Sequence, residues 1–159
     1  ATGSQLLGFP PHASPLDLLQ PGAALVVADQ DLAPGDAAAV SRASVVVVVG
    51  TAMPANLPKA DVVLPIANVV EEEGTFTNLR GRVQRFLQAK ATQGMARPSW
   101  YVLSDLLGAM GEKAEYFTAS DAFAALAAAE PAFAGLSYDT LGLRGLPVVD
   151  AASFAEAAR

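Results

Sequence analysis

Glu71, Glu72 and Glu73 stand side by side, and Gly74-Thr75-Phe76-Thr77-Asn78 leads from them into a stretch without a carboxylate as far as Ser104. That stretch holds Arg80, Arg82, Arg85, Lys90 and Arg97, half of the ten basic residues in a chain of net charge −6. Adjacent glutamates point in different directions on any regular backbone, so the three cannot converge on one cation without a sharp loop. A solvated acidic turn is the expected state, and an oxygen site for a hard cation such as magnesium is the rarer arrangement. Gly74 opens backbone angles closed to other residues, while Thr75, Thr77 and Asn78 can bond nearby N–H and C=O groups. Such a turn either positions a ligand or simply ends a strand. The arginine forks suit phosphate or pyrophosphate, an acidic partner, or the neighbouring glutamates, and docking or pairing is favoured over a bound phosphate.

Other schemes are excluded by what is missing. Cysteine is absent, which removes disulfides, thiolate nucleophiles and cysteine-held iron-sulfur clusters from this chain. The single histidine, His12, lies in a Pro-Pro-His-Ala-Ser-Pro segment and reads as an exposed loop side chain, so no histidine metal site is expected. There is no Gly-x-Gly-x-x-Gly, no phosphate loop ending in Gly-Lys-Ser/Thr and no Gly-x-Ser-x-Gly elbow. Residue chemistry alone therefore predicts no catalytic residue and no metal ligand. The acidic balance argues against a nucleic-acid surface. The hydrophobic fraction of 52% is inflated by alanine, and no apolar run approaches the ~20 residues that span a bilayer, so direct membrane insertion is not expected. With no signal-peptide pattern at the start, a reducing cytoplasmic setting fits best.

The elements that must position these groups are legible from pattern. Residues 1–22 are rich in Gly, Pro and Ser and read as a linker or peripheral loop, with one helical turn over Ser14 to Leu19. An α/β domain over 23–131 follows. Ala24 to Ala28 predicts a strand, Pro34 to Ala43 a short helix, and Val45 to Gly50 a second buried strand, which together make a parallel crossover unit. Asp61 to Leu64 adds a third strand stopped by Pro65, after a link with room for one helical turn at most. The expected fold class is thus α/β, a partial open parallel sheet with flanking helices, an incomplete portion of a larger subunit. Arg82 to Gln88 predicts a strand with Val83, Arg85 and Leu87 on one side. A helix capped by Ser99 and stopped at Gly111 comes next, then one from Ser120 or Asp121 to Glu130. Residues 132–159 read as an irregular extension, closing with a short helix over "AASFAEAAR".

The run "ADVVLPIANVVEEEGTFTNLRGRVQ", Ala60 to Gln84, resembles the signature of the molybdopterin oxidoreductase superfamily: Ala-Asp-x-Val-Leu-Pro, an acidic residue, Gly-Thr-Phe-Thr-Asn and Gly-Arg-Val-Gln. The likeness continues through "ARPSWYVLSDLLGAMG" and faintly through "FAGLSYDTLGLRGL", covering roughly Val45 to Leu146. Two departures stand out: Arg80 replaces the acidic residue usual before Gly-Arg-Val-Gln, and little sequence follows Gly145 to build the β-barrel of active members. The combination most resembles the C-terminal part of the large iron-sulfur subunit of respiratory complex I, the NADH-quinone oxidoreductase. That resemblance implies a non-catalytic portion of the peripheral arm, at the cytoplasmic face of the bacterial inner membrane, packed against other peripheral-arm subunits. No cofactor would lie in this chain; iron-sulfur clusters would lie N-terminal to it in the same subunit and FMN in a neighbouring one. The alternative is a fragment of an active molybdenum or tungsten enzyme of the formate dehydrogenase type, in which Thr77, Asn78, Arg82 and Gln84 would contact the pterin. An independent module for an acidic partner would account for the basic stretch alone.

Overall fold

A computed structural model describes Leu7, Leu16 and residues 19–148. Five consecutive β-branched valines and Gly50 form the central strand β2 (Val45–Gly50), flanked in parallel by β1 (Ala24–Ala28) and β3 (Val62–Pro65) in the order β1-β2-β3. A 3₁₀ turn (Pro34–Asp36) running into helix α1 (Ala37–Val40) carries the chain from β1 to β2. It seats Val40 against Val27 and Val46 in a core that also takes in Leu16. The segment read as a linker is therefore anchored at Leu16; most of Ser14 to Leu19 lies outside the described residues. The link from β2 to β3 has no helical turn. Side chains pin it instead: Ala55 N–H donates to Asp31 Oδ1 at 2.7 Å and Asn56 Nδ2 to the Leu32 carbonyl at 2.8 Å.

The second sheet is antiparallel, in the order β4 (Gly74–Thr77), β5 (Arg82–Phe86), β6 (Leu146–Pro147). Gly-Thr-Phe-Thr is thus a strand, and the turn lies beyond it. Asn78 makes that turn: its Oδ1 accepts from Arg80 N–H at 2.9 Å and Arg82 N–H at 3.0 Å, and Gly81 takes φ +69°. Gly74 faces Phe86, whose ring would lie 2.8 Å from any added Cβ. The predicted strand ends early, at Phe86, leaving Leu87 exposed rather than aligned with Val83 and Arg85.

Helix α2 (Ser99–Ala109) starts one residue sooner than predicted, with Pro98 at the cap position and Ser99 inside the helix. Gly111, at φ +91°, follows its end as expected. Helix α3 (Ala119–Ala129) begins with a reciprocal cap: Asp121 N–H donates to Thr118 Oγ1 at 3.1 Å and Thr118 N–H to Asp121 Oδ2 at 2.8 Å.

The following stretch corrects the irregular-chain reading. A 3₁₀ turn (Pro131–Phe133), helix α4 (Tyr138–Leu141) and β6 bring Phe133, Tyr138, Leu141 and Val148 onto Val83 and Phe123. These residues form the core of the second sheet. The helix expected over "AASFAEAAR" lies outside the described residues. Among those described, no helix is long and apolar enough to cross a membrane.

Candidate functional site

The hairpin of β4 and β5 places the signature residues on two faces. Strand alternation puts Phe76, Asn78, Arg82 and Gln84 on one exposed face, with Phe76 opposite Gln84, and puts Thr77 on the other, opposite buried Val83. Asn78 and Arg82 are brought together by the turn itself, Gln84 lies next along their face, and Thr77 does not join them. Asn78 Oδ1 is occupied by backbone N–H groups, and the Arg82 guanidinium donates to the carbonyls of Gly145 at 2.7 Å and Arg144 at 3.3 Å. Gln84 makes no side-chain hydrogen bond among the described residues, which leaves its amide open to a ligand.

The acidic run is not a solvated turn. Glu71 is only 5% exposed; its carboxylate pairs with Lys90 at 3.6 Å, while its carbonyl accepts from Gln88 Nε2 and Thr92 Oγ1. Glu72 reaches across to helix α2, where Oε2 accepts from Ser99 N–H at 2.7 Å and Ser99 Oγ at 2.9 Å. A carboxylate there satisfies a donor at the positive end of the helix. Glu73 lies near enough to Tyr138 to reinforce the upward push that burial gives the phenol, with Arg85 opposing both. Arg85 stacks over the Tyr138 ring at 4.3 Å and donates to its carbonyl at 3.2 Å. The basic stretch thus serves largely to pair and dock within the chain. Among the described residues, no group of three or more His, Asp or Glu side chains is placed to hold a metal.

A cavity of about 670 Å³ opens between the C-terminal ends of β1 and β2 and strand β4, lined by Asp29, Thr51, Asn68, Glu73, Phe76 and Trp100 among others. The carboxyl ends of parallel strands are where open α/β sheets bind ligands. Asp29 holds φ +46° there, and its Oδ1 accepts from Thr51 N–H at 2.9 Å and Thr51 Oγ1 at 2.8 Å. Those two bonds keep its carboxyl below the usual carboxylate range, the backbone bond contributing most. Trp100 Nε1 is buried without a hydrogen-bond partner among the described residues. Neither Asp29 nor Trp100 stood out as a site residue in the sequence. An aspartate closing the first strand of a parallel unit was the available signal for Asp29, and the family-like Ala-Arg-Pro-x-Trp run was the one for Trp100.

Comparison with known proteins agrees with the signature. Residues 20–109 match the molybdopterin oxidoreductase family. The subunit alpha of F420-dependent formate dehydrogenase 2 of Methanococcus maripaludis is 44% identical over 89 residues, 55% of this chain and 13% of that protein. The YrhE protein of Bacillus subtilis, whose formate dehydrogenase name is provisional, is 43% identical over 82 residues, 52% of this chain and 8% of its own length. The chain thus spans only a small part of these relatives. With a match over more than half of its length and the signature folded as a hairpin beside a parallel sheet, the chain belongs to the molybdopterin oxidoreductase family.

Proposed function

We propose that this chain is part of a molybdopterin-dependent oxidoreductase subunit of the formate dehydrogenase type, in which the exposed face of the β4–β5 hairpin helps to hold the pterin. One observation carries this reading: Asn78, Arg82 and Gln84 share an exposed face, inside a segment similar to proteins named formate dehydrogenases. The residues fit a hydrogen-bonding cofactor in part. Gln84 offers a whole amide, Asn78 its NH₂ group, and Arg82 the nitrogens not spent on the Gly145 and Arg144 carbonyls. Thr77, on the opposite face, would support the strand rather than touch the ligand. When bound, the pterin-held metal supplies the two-electron redox chemistry, and these side chains orient the group. Molybdenum and tungsten in the intact source protein test the reading, together with pterin released on denaturation. Stoichiometric metal is expected, and Gln84→Ala should lower loading severalfold without changing the thermal midpoint. Protein free of metal and pterin, from cells that load another molybdoenzyme, would refute it.

A second reading is favoured by the internal use of the motif. Asn78 Oδ1 and one arm of Arg82 are spent on this chain's own backbone, as suits a scaffold that keeps the fold without the cofactor. Here the chain packs among peripheral-arm subunits of complex I at the cytoplasmic face of the bacterial inner membrane. Iron-sulfur clusters lie elsewhere in its subunit and FMN in a neighbour. Co-purification of NADH-quinone oxidoreductase subunits with a metal-free protein supports this reading over the first.

A further inference from the structure

The exposed face of the hairpin is graded from aromatic to cationic. Phe76 and Phe86 stack at one end with ring centroids 4.7 Å apart, and Phe76 keeps 60% of its surface exposed. Gln84 pairs opposite Phe76, and Arg82 follows about 7 Å further along the same strand. Beside Gln84 and Arg82 the chain returns as a loop. Gly142 at φ +52° and Gly145 at φ +67° bracket Leu143 and Arg144, and Gly145 passes so close to the hairpin that a Cβ there would lie 2.7 Å from Gln84 Cγ. Arg82 Nη1 donates to the carbonyls of Arg144 and Gly145, which fixes its guanidinium against the loop. Arg144 is exposed, and among the described residues neither its side chain nor that of Arg80 has a hydrogen bond or an ion pair. No carboxylate occurs from Gly74 to Ser104 or from Thr140 to Val148.

We propose that Arg144 is a further binding residue of this face: with the Arg82 nitrogens not spent on carbonyls, it holds the phosphate of the pterin, while the ring system lies toward Phe76. The assignment rests on the reading that this face takes the cofactor. It adds the ligand's direction, and a residue that the family match, which ends at residue 109, does not include. Guanidinium forks suit phosphoryl oxygens, and one already anchored through Nη1 loses little freedom when it binds. The aromatic end offers a flat surface on which a heterocycle stacks, and the Gln84 amide between the two ends both donates and accepts. An acidic protein segment would be served by the arginines alone, leaving the ring stack and the amide without a task.

The test uses the full-length subunit from cells unable to make the pterin, titrated by calorimetry with inorganic pyrophosphate and with ADP, whose flat ring stands in for the pterin's. Both should bind, ADP severalfold more tightly. Arg144→Ala should weaken both by about tenfold or more and Arg144→Lys by less, with thermal midpoints unchanged because the side chain is exposed. Phe76→Leu should bring ADP to the level of pyrophosphate and leave pyrophosphate as it was, and Leu143→Ala, the control, should change neither. Failure of pyrophosphate to bind, equal binding of ADP and pyrophosphate by the unaltered protein, an affinity unmoved by Arg144→Ala, or tighter binding of a glutamate decapeptide than of ADP overturns the proposal. A source protein without pterin or metal refutes the cofactor reading even where Arg144→Ala abolishes pyrophosphate binding. A loaded one, whose empty form binds pyrophosphate equally with and without Arg144, refutes only the role of Arg144.

Discussion

Single side chains in the acidic run do structural tasks that their sequence spacing hid. Glu72 was one of three equivalent carboxylates until folding set it against the first turn of α2, 27 positions along the chain. Glu72→Ala should cost about 1 kcal/mol, as loss of a helix cap does, and Glu72→Gln less, read from urea midpoints. Asp29 gives a pH signature. A carboxyl whose folded-state pKa lies below its unfolded value stabilises the fold above that unfolded value and loses the contribution as pH falls through the folded one. The acid limb of unfolding, below about pH 4, should therefore be shallower in Asp29→Asn. Asparagine tolerates φ +46° and still accepts from Thr51, so the variant should fold, and equal acid slopes would discount the carboxylate.

At the level of elements, the parallel unit was readable because its signals are local: β-branched runs, a proline stop and a short helical insert. The hairpin was half readable. "RVQRF" showed itself as a strand, but its partner "GTFT" looked like a turn because glycine and two threonines carry turn signals as readily as strand ones. Only pairing with Arg82 to Phe86 decides the matter. Strand β6 was invisible, since two residues have no periodicity and Leu146–Pro147 is fixed by β5 and by Gly145. Gly145 sits at φ +67° with no room for a side chain against the Val83 carbonyl. Gly145→Ala should destabilise by about 3 kcal/mol or more, seen as a lowered thermal midpoint, whereas Gly94→Ala, with open space around it, should cost only its backbone strain.

For the molecule as a whole, the family was legible in twenty-five residues, while the division of labour within them was not. Sequence placed Thr77, Asn78, Arg82 and Gln84 together; the pleat separates Thr77 from the rest, and the carbonyls of Arg144 and Gly145 claim part of Arg82. A contact so remote in sequence leaves no mark on local pattern. It also sets an order of events during synthesis. Arg82 must wait for a carbonyl 63 positions downstream, and Val83 for Leu146. On the ribosome the hairpin therefore emerges with its inner face wet, and a nascent polypeptide arrested before Pro131 should be cut by protease near β5. One extended past Val148 should resist the same digestion, so the hairpin is sealed only after the last described strand has left the ribosome.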